Sequence, residues 1–558
     1  MNRFSFVVAI AALLAPLVAL PSATAAAKEL KPIVVVSLAG YDALLADVDL
    51  IGELAGAPEL KQGVEGLLGM VTRFQGLAGL SKDKPIGAAL LLSETQEPAG
   101  FVFLPVTDLD KLLEVFQDTL ITETEELEDG YIKLKLKNGP PMIAKKVGDW
   151  AFLSVKHDFL SDLPEDPSAL LGDLPKKYDL AIKVNVANVP EPLMDMAVNQ
   201  MRQGAEAAMR KAAEENPEAA EIQQAITESY LETMTEAIRE LDSYTIGAAI
   251  DNKTKSAYFD VEALMKDGSK LAEQVNQSAK EGKPSKLPGL ADAARVFNFH
   301  LNAPVMESEI EMVVDMLEQA REKVEEKIKE EIADEEGQKV VIGMVKELFD
   351  VAEATIEEGQ INGGAVVTGE GPFSVVLGAH VVDGEKLDAV LKKAAKLAEN
   401  EPNAPEIEFD ADEKAGLTFH TLVLPIEEDD TDDVEKFFGT SELMMAIGIS
   451  DDTVTLSFGE DPVAAAAEVL GKKSGAAKLP LMQAQIKVGP IVKAVAAQVE
   501  DDQPLVGAFA EILAETDKDH VNLTAVFIKN GERVRLEVES GLISSLGKLA
   551  MLASKQKK

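Results

Sequence analysis

The five histidines are the side chains of this sequence best suited to proton transfer or metal binding. They are His157, His300, His380, His420 and His520, and four of them lie in the second half, within or beside predicted strands. Strand residues from distant segments can converge on one site, but no pair has the close spacing of a metalloprotease helix or a zinc knuckle. We therefore predict ordinary half-buried or surface histidines, and a metal site stays open.

Clustered carboxylates are the second candidate, because calcium prefers oxygen ligands. The most acidic segment is EEDDTDD at 427–433. The nearest approach to a calcium-binding hand loop begins at Asp410, but Lys414 and Ala415 stand where a ligand and a glycine belong, and Thr421 replaces the final glutamate. We predict a solvated charged turn at 427–433 and no hand-type loop at Asp410.

Motifs for other chemistry are absent from the sequence. There is no G-x-S-x-G elbow, no G-x-x-x-x-G-K-[ST] phosphate loop and no G-x-G-x-x-G turn after a strand. The chain has no cysteine, which excludes disulfides, thiolate metal ligands and cysteine nucleophiles. The single tryptophan, Trp150, is predicted to be a core or edge plug rather than a carbohydrate platform. No catalytic or cofactor-binding residue is assigned.

Residues 1–27 have the three parts of a secretory signal: Arg3, the apolar run Phe4 to Leu20, and small residues at 23–27. We expect this segment to be cleaved and the protein to be exported, periplasmic or secreted. No later stretch of the sequence is apolar enough to predict a membrane span.

Composition restricts the partners. The net charge is −43, from 97 acidic and 54 basic residues, so the chain repels phosphate backbones and anionic lipid headgroups. Nucleic-acid binding is therefore not expected. With 558 residues and 46% hydrophobic content, the chain can build sizeable cores and more than one domain.

The order of predicted elements occurs twice. We predict an α+β protein of two tandem homologous repeats, at 30–290 and 294–558, each an antiparallel sheet with helices packed on one face. Each repeat begins with an apolar strand, PIVVVSL or VFNFHL, and later places an N-cap aspartate, Asp108 or Asp383, before a helix. Short turns such as Gly148-Asp149 and Asp451-Asp452 predict hairpins and hence antiparallel pairing.

The predicted repeats differ in their helices. A long helical region at 190–241, broken at Asn216-Pro217, belongs to the first repeat, and another at 305–358 belongs to the second. Both carry apolar stripes, which we interpret as packing against their own sheet or each other.

The block GPPMIAKKVGDWAFLSVKHDFLSDL, the export signal and the acidic bias resemble the large uncharacterised exported proteins of planctomycete-type bacteria. The resemblance covers most of the chain and implies an envelope or secreted location, with no activity attached. The expected function is an exported binding or structural protein, in its specific form a carrier of lipid or another apolar small molecule in a groove between sheet and helices. The alternatives are a secreted hydrolase with a site at the junction of the repeats and a self-assembling surface protein.

Overall fold

The computed structural model of the chain describes residues 31–92, 98–161, 163–215, 231, 234–291, 295–399, 407–426, 431–471, 479–497 and 504–556. The predicted signal at 1–27, the Asn216-Pro217 break and the acidic residues 427–430 lie outside these ranges. Across the described ranges, no helix combines the length and apolar character that a membrane crossing requires.

Twenty strands and fourteen helices of the described chain are named here. The strands are β1 Pro32–Leu38, β2 Ile86–Leu92, β3 Pro98–Pro105, β4 Ile121–Glu126, β5 Tyr131–Leu136, β6 Met142–Val147, β7 Trp150–Ser154, β8 Leu180–Asn185, β9 Leu241–Asp251, β10 Ser256–Met265, β11 Phe297–Pro304, β12 Gln360–Gly369, β13 Phe373–His380, β14 Ile407–Lys414, β15 Leu417–Leu424, β16 Leu443–Ile449, β17 Thr453–Gly459, β18 Met482–Lys487, β19 His520–Ile528 and β20 Gly531–Val538. The helices are α1 Tyr41–Leu54, α2 Leu60–Val71, α3 Leu109–Phe116, α4 Leu174–Lys177, α5 Glu191–Glu215, α6 Lys270–Glu281, α7 Glu307–Glu331, α8 Glu335–Glu357, α9 Gly384–Ala398, α10 Thr431–Phe438, α11 Pro462–Leu470, α12 Val488–Ala496, α13 Pro504–Leu513 and α14 Ser540–Gln556.

The chain divides into two compact units whose boundaries differ from the predicted ones. The first unit comprises residues 1–207, 234–273 and 529–558, and the second comprises 208–233 and 274–528, as far as their residues are described. The predicted second repeat, 294–558, therefore contributes its last thirty residues to the first unit. Residues 529–558 belong to the first unit because of strand pairing, which the order of elements along the sequence does not reveal.

All strand pairs within each unit are antiparallel, which confirms the predicted antiparallel α+β class. In the first unit the order is β4-β5-β6-β7-β3-β2-β1-β8-β9-β10-β20. In the second unit it is β14-β15-β16-β17-β13-β12-β11-β18-β19. The nine strands of the second unit thus follow the same order as the first nine of the first unit. The shared order favours a duplication, which itself stays a prediction.

Local signals in the sequence place several elements correctly. Asp108 and Asp383 cap α3 and α9, each accepting a hydrogen bond from a backbone N–H three residues on. The turn at Gly148-Asp149 joins β6 to β7, with Val147 paired to Trp150. The turn at Asp451-Asp452 joins β16 to β17 in the same way. These features depend only on neighbouring residues, which is why the sequence reveals them.

The predicted helical region at 305–358 forms two helices instead of one. Helix α7 ends at Glu331, and Asp334 caps α8 by accepting a hydrogen bond from the N–H of Gly337. The two helices pack against each other. Of the acidic segment 427–433, residues 431–433 form the first turn of α10 rather than a free loop.

A buried ion pair ties the last strand of the chain to the first unit. Strand β20 pairs with β10 over eight residue pairs, and Asp260 lies opposite Arg535. The Arg535 guanidinium donates from Nε and Nη2 to the two Asp260 oxygens, both at 2.7 Å. Asp260 is fully buried, and it also accepts a hydrogen bond from the Tyr178 hydroxyl at 3.2 Å. The guanidinium stacks 3.9 Å from the centre of the Tyr258 ring. Since removal of Arg535 would leave the buried Asp260 charge uncompensated, the pair is expected to be strongly coupled.

We predict that Arg535→Met lowers the free energy of unfolding of the first unit by about 3–5 kcal/mol. Urea unfolding followed by the fluorescence of Trp150 measures this, because the chain has one tryptophan and it lies in the first unit. The double variant Asp260→Asn, Arg535→Met should cost less than the sum of the single changes. Arg239→Met, which breaks an exposed pair with Asp195, is the control and should cost less than about 1 kcal/mol. Equal costs for Arg535→Met and the control would contradict the assignment.

Candidate functional site

His300 lies in a polar cluster on one side of the sheet of the second unit. Its Nε2 is 2.9 Å from Ser285 Oγ, and Ser285 Oγ is 3.2 Å from the side-chain oxygen of Asn362. Asn302, opposite Asn362 in the β11–β12 register, accepts hydrogen bonds from the side chains of Asn362 and Gln360. The cluster therefore joins β11 and β12 to the segment that precedes the 3-10 turn Pro288–Ala291.

The Ser285–His300 contact resembles a nucleophile and its general base, but its surroundings do not fit catalysis. His300 is fully buried, and its Nδ1, where an orienting carboxylate would accept a hydrogen bond, has no partner among the described residues. Burial lowers the pKa of His300 to about 4, so the imidazole is a weak base at neutral pH. Ser285 Oγ also accepts a hydrogen bond from the N–H of Leu287. The pair ties the loop to the sheet, with the half-buried Ser285 hydrogen-bonded to both His300 and the backbone.

His380 is the second buried histidine, at the end of β13. Its Nδ1 is 2.6 Å from the backbone oxygen of Asp452, and its Nε2 is 2.6 Å from Glu358 Oε2. Lys286 Nζ lies 3.2 Å from the same Nε2, so a carbonyl, a carboxylate and an ammonium group surround the ring. The His380 hydrogen bond is the main cause that lowers the pKa of Glu358, and the Lys286 ammonium 3.4 Å away adds to it. Both nitrogens make close contacts within the protein, so neither is free to bind a metal.

His420, Asp388 and Asp410 are the described residues that come closest to a metal site, with ligand atoms within 4.8 Å of one another. Nδ1 of His420 accepts a hydrogen bond from the backbone N–H of Asp410, so the proton is on Nε2, which donates to Asp388 at 2.8 Å. No ring nitrogen is left with a free lone pair. The Lys392 ammonium lies 3.0 Å from Asp388 and 2.9 Å from Asp410, where it balances both carboxylates. The donor set fits an ion network and does not fit a metal.

The prediction of half-buried or surface histidines is wrong for these three and right for the other two. His157 is exposed and lies against the Tyr131 ring, and His520 is half-buried at the start of β19. The burial of His300, His380 and His420 is determined by partners from segments remote in sequence, which spacing could not show. The hydrolase hypothesis gains no support from them, because none of the three is both accessible and free to accept a proton.

Trp150 is a core residue, as predicted. Its ring is 4% exposed and packs edge-on against Phe103. A pocket of about 710 Å³ lies beside it, and its lining includes the carboxylates of Asp149, Glu165 and Asp166. The Lys84 ammonium covers the outer side of the ring, 5.8 Å from its centre. The pocket is charged, so it matches neither a sugar-stacking platform nor an apolar carrier cavity.

The interface between α11 and the strands of the second unit is filled by the protein's own side chains. Helix α11 buries Val463, Ala466 and Val469 against Val376 and Phe419 of the sheet. Beside it, Gly289 approaches α11 so closely that a Cβ would lie 1.8 Å from the carbonyl oxygen of Val469. The predicted groove for an apolar ligand therefore has no counterpart at this interface.

Helix α2 instead presents an apolar face to solvent. Leu67 and Met70 are 62% and 60% exposed, and Leu60, Val64 and Val71 are also exposed at helical spacing on the same side. A Cβ added at Gly63 or Gly66 would contact nothing within 4 Å, so the backbone there is open too. Phe74, just beyond the helix and 80% exposed, extends this surface. The α2 face, defined by these residues, carries no charged side chain.

The helical spacing of the apolar residues on the α2 face is visible in the sequence, but their exposure to solvent is not. Apolar residues at intervals of three and four are the pattern of any helix that packs on a core. Only the three-dimensional arrangement distinguishes a covered stripe from an open one. Exposed apolar patches of this kind commonly mark contact surfaces for proteins or membranes.

No protein-family model, curated protein or solved structure matches this chain. The resemblance to exported planctomycete proteins is untested by these comparisons and stays a prediction. The function must therefore be inferred from the residues themselves.

We predict that His300 makes the stability of the second unit depend on acid pH. Its pKa is about 4 in the folded protein and about 6.5 when unfolded, so the unfolded chain alone takes up a proton between these values. Above pH 6.5 His300 should not reduce the free energy of unfolding. As the pH falls towards 4, the free energy of unfolding should decrease by about 3 kcal/mol.

In His300→Gln this part of the pH dependence should disappear, while His157→Gln, at an exposed histidine, should leave it intact. The measurement is urea unfolding followed by circular dichroism. Trp150 fluorescence reports the first unit, so the transition seen only by circular dichroism is assigned to the second. An unchanged slope between pH 6.5 and 4 in His300→Gln would show that other groups cause it.

Proposed function

We propose that this protein is an exported, non-catalytic binding protein that attaches to a neutral, zwitterionic lipid surface through the α2 face. The exposed, uncharged apolar side of α2 is the observation that carries the proposal. Export is the expectation from residues 1–27.

The α2 face is costly to leave in water. Each buried Leu, Val, Met or Phe side chain gains about 1.5–3 kcal/mol relative to full exposure. Partial burial of five or six such side chains is enough to hold a protein at an interface. An amphipathic helix that lies in the headgroup region buries its apolar face in this way.

Charge selects among the possible occupants of the α2 face. A second copy of the chain, or a self-assembled layer, would bring together molecules that each carry a net charge of −43. Anionic lipid is disfavoured for the same reason. Lys61 of α2 and Arg73, which follows it in the sequence, each pair with an aspartate, Asp49 and Asp118. A neutral lipid surface meets an uncharged face without these penalties.

The shape of α2 supports the same occupant. Gly63 and Gly66 leave the helix backbone uncovered beside Leu67, so the helix can lie close to a flat surface. The ring of Phe74 lies over Gly69, where a Cβ would come within 2.9 Å of it, so this aromatic residue is held at the end of the face. Phe is among the side chains that interfacial amphipathic helices carry on their apolar face.

The test is co-sedimentation of the full chain with phosphatidylcholine vesicles. We expect binding by the wild type and at least about tenfold weaker binding by Leu67→Gln, Met70→Gln, because the two changes remove more than about 1.4 kcal/mol of apolar burial. Leu180→Gln, Leu397→Gln removes two exposed leucines elsewhere and should bind like the wild type.

Vesicles with added phosphatidylglycerol should bind less, most clearly at low salt. Equal binding by both double variants, no binding by the wild type, or stronger binding to the anionic vesicles would overturn the proposal. Circular dichroism of each variant checks that the fold is retained.

A further inference from the structure

Asp47 is a buried carboxylate that the fold leaves incompletely satisfied. It lies in α1 of the first unit and is 6% exposed. Its Oδ1 accepts a hydrogen bond from the Asn252 side chain at 2.9 Å. Its Oδ2 is buried and receives no hydrogen bond from any described residue. A buried carboxylate oxygen without a donor is costly unless a proton or a cation compensates it.

The group that faces Asp47 is a second carboxylate, that of Asp179. The two side chains are within hydrogen-bonding range, yet both are acceptors when ionised. The backbone fixes Asp179, because its N–H donates to the Ala248 oxygen at 2.9 Å and its carbonyl accepts from the N–H of Ala39 at 2.7 Å. Its side chain accepts from the N–H of Ile250 at 2.7 Å. Asp179 therefore cannot turn away to relieve the repulsion.

We propose that Asp47 and Asp179 bind a divalent cation of the calcium class, which joins α1 to the start of β8 and the β9–β10 turn. Carboxylate oxygens are among the ligands that calcium prefers. Asp47 and Asp179 supply the oxygens and the charge, while the Asn252 amide N–H holds Asp47 Oδ1 and leaves Oδ2 for the cation. Asp179 is half-buried and Asn252 exposed, so water can reach the site and complete the coordination.

Protons compete with the cation for this pair. Burial raises the pKa of Asp47 to about 6, and the facing Asp179 charge adds to the effect, whereas the Asn252 hydrogen bond opposes it. Below about pH 6 a proton satisfies Asp47. At neutral pH the Asp47 carboxylate is ionised in its buried position, and the bound cation takes the place of the proton. A site with few protein ligands is expected to be weak, in the range of about 10⁻⁴–10⁻³ M found for extracellular calcium modules.

The test is thermal unfolding of the full chain, followed by Trp150 fluorescence, in physiological salt. At pH 7.5, about 5 mM calcium should raise the Tm of the wild type by about 3 °C relative to EDTA, and at pH 5 this rise should be lost. Asp47→Asn should abolish the rise. In EDTA at pH 7.5 it should be more stable than the wild type, because a group with a raised folded pKa destabilises the fold above that pKa.

Asp110→Asn removes an exposed carboxylate elsewhere in the first unit and is the matched control, which should respond to calcium like the wild type. An equal rise in Asp47→Asn would mean that calcium only screens the general negative charge, and the proposal would fail. It would fail equally if the wild type showed no rise while Asp47→Asn gained stability in EDTA, since the pair would then share a proton and bind no cation. The α2 face takes no part in these measurements, so the outcome is independent of lipid binding.

Discussion

The first unit depends on the ion pair between Asp260 and Arg535, because one partner comes from the middle of the chain and the other from its last thirty residues. The pair holds β20 against β10. After β20 the chain forms α14, where Gly547 packs so closely on α1 that a Cβ would lie 2.3 Å from that of Ala55. Helix α1 in turn packs against α2. A continuous set of contacts therefore links the buried pair to the helix with the exposed apolar face.

In the second unit, the buried histidines and their polar partners link strands to neighbouring elements. His300 and Asn362 join two strands and a loop, His380 connects β13 to the β16–β17 turn, and His420 links β15 to α9. Each contact is directional, so a shift in strand register would leave buried donors and acceptors unpaired. Polar residues on the covered side of a sheet thus favour one pairing over its alternatives, at some cost in stability.

The sequence predicts the local features of this fold well and the long-range ones poorly. The first strands, the caps at Asp108 and Asp383 and the hairpin turns follow from neighbouring residues. The assignment of 529–558 to the first unit does not, because the β10–β20 pairing joins residues more than 250 positions apart and leaves no periodic signal. The same limit applies to function. Helical spacing identified apolar stripes at 190–241 and 305–358 but did not single out α2 or the exposure of its face, and the spacing of the histidines did not indicate their remote partners.

The discontinuity of the first unit has a consequence for the order of events during synthesis. A chain emerging from its N-terminus reaches residue 273 without the strand that compensates Asp260, and it must complete the whole second unit before β20 is available. Until then, the incomplete first unit holds an unpaired charge at a sheet edge, which disfavours premature closure. The first unit, which carries the exposed apolar helix, can therefore reach its final form only once the last thirty residues of the chain are available.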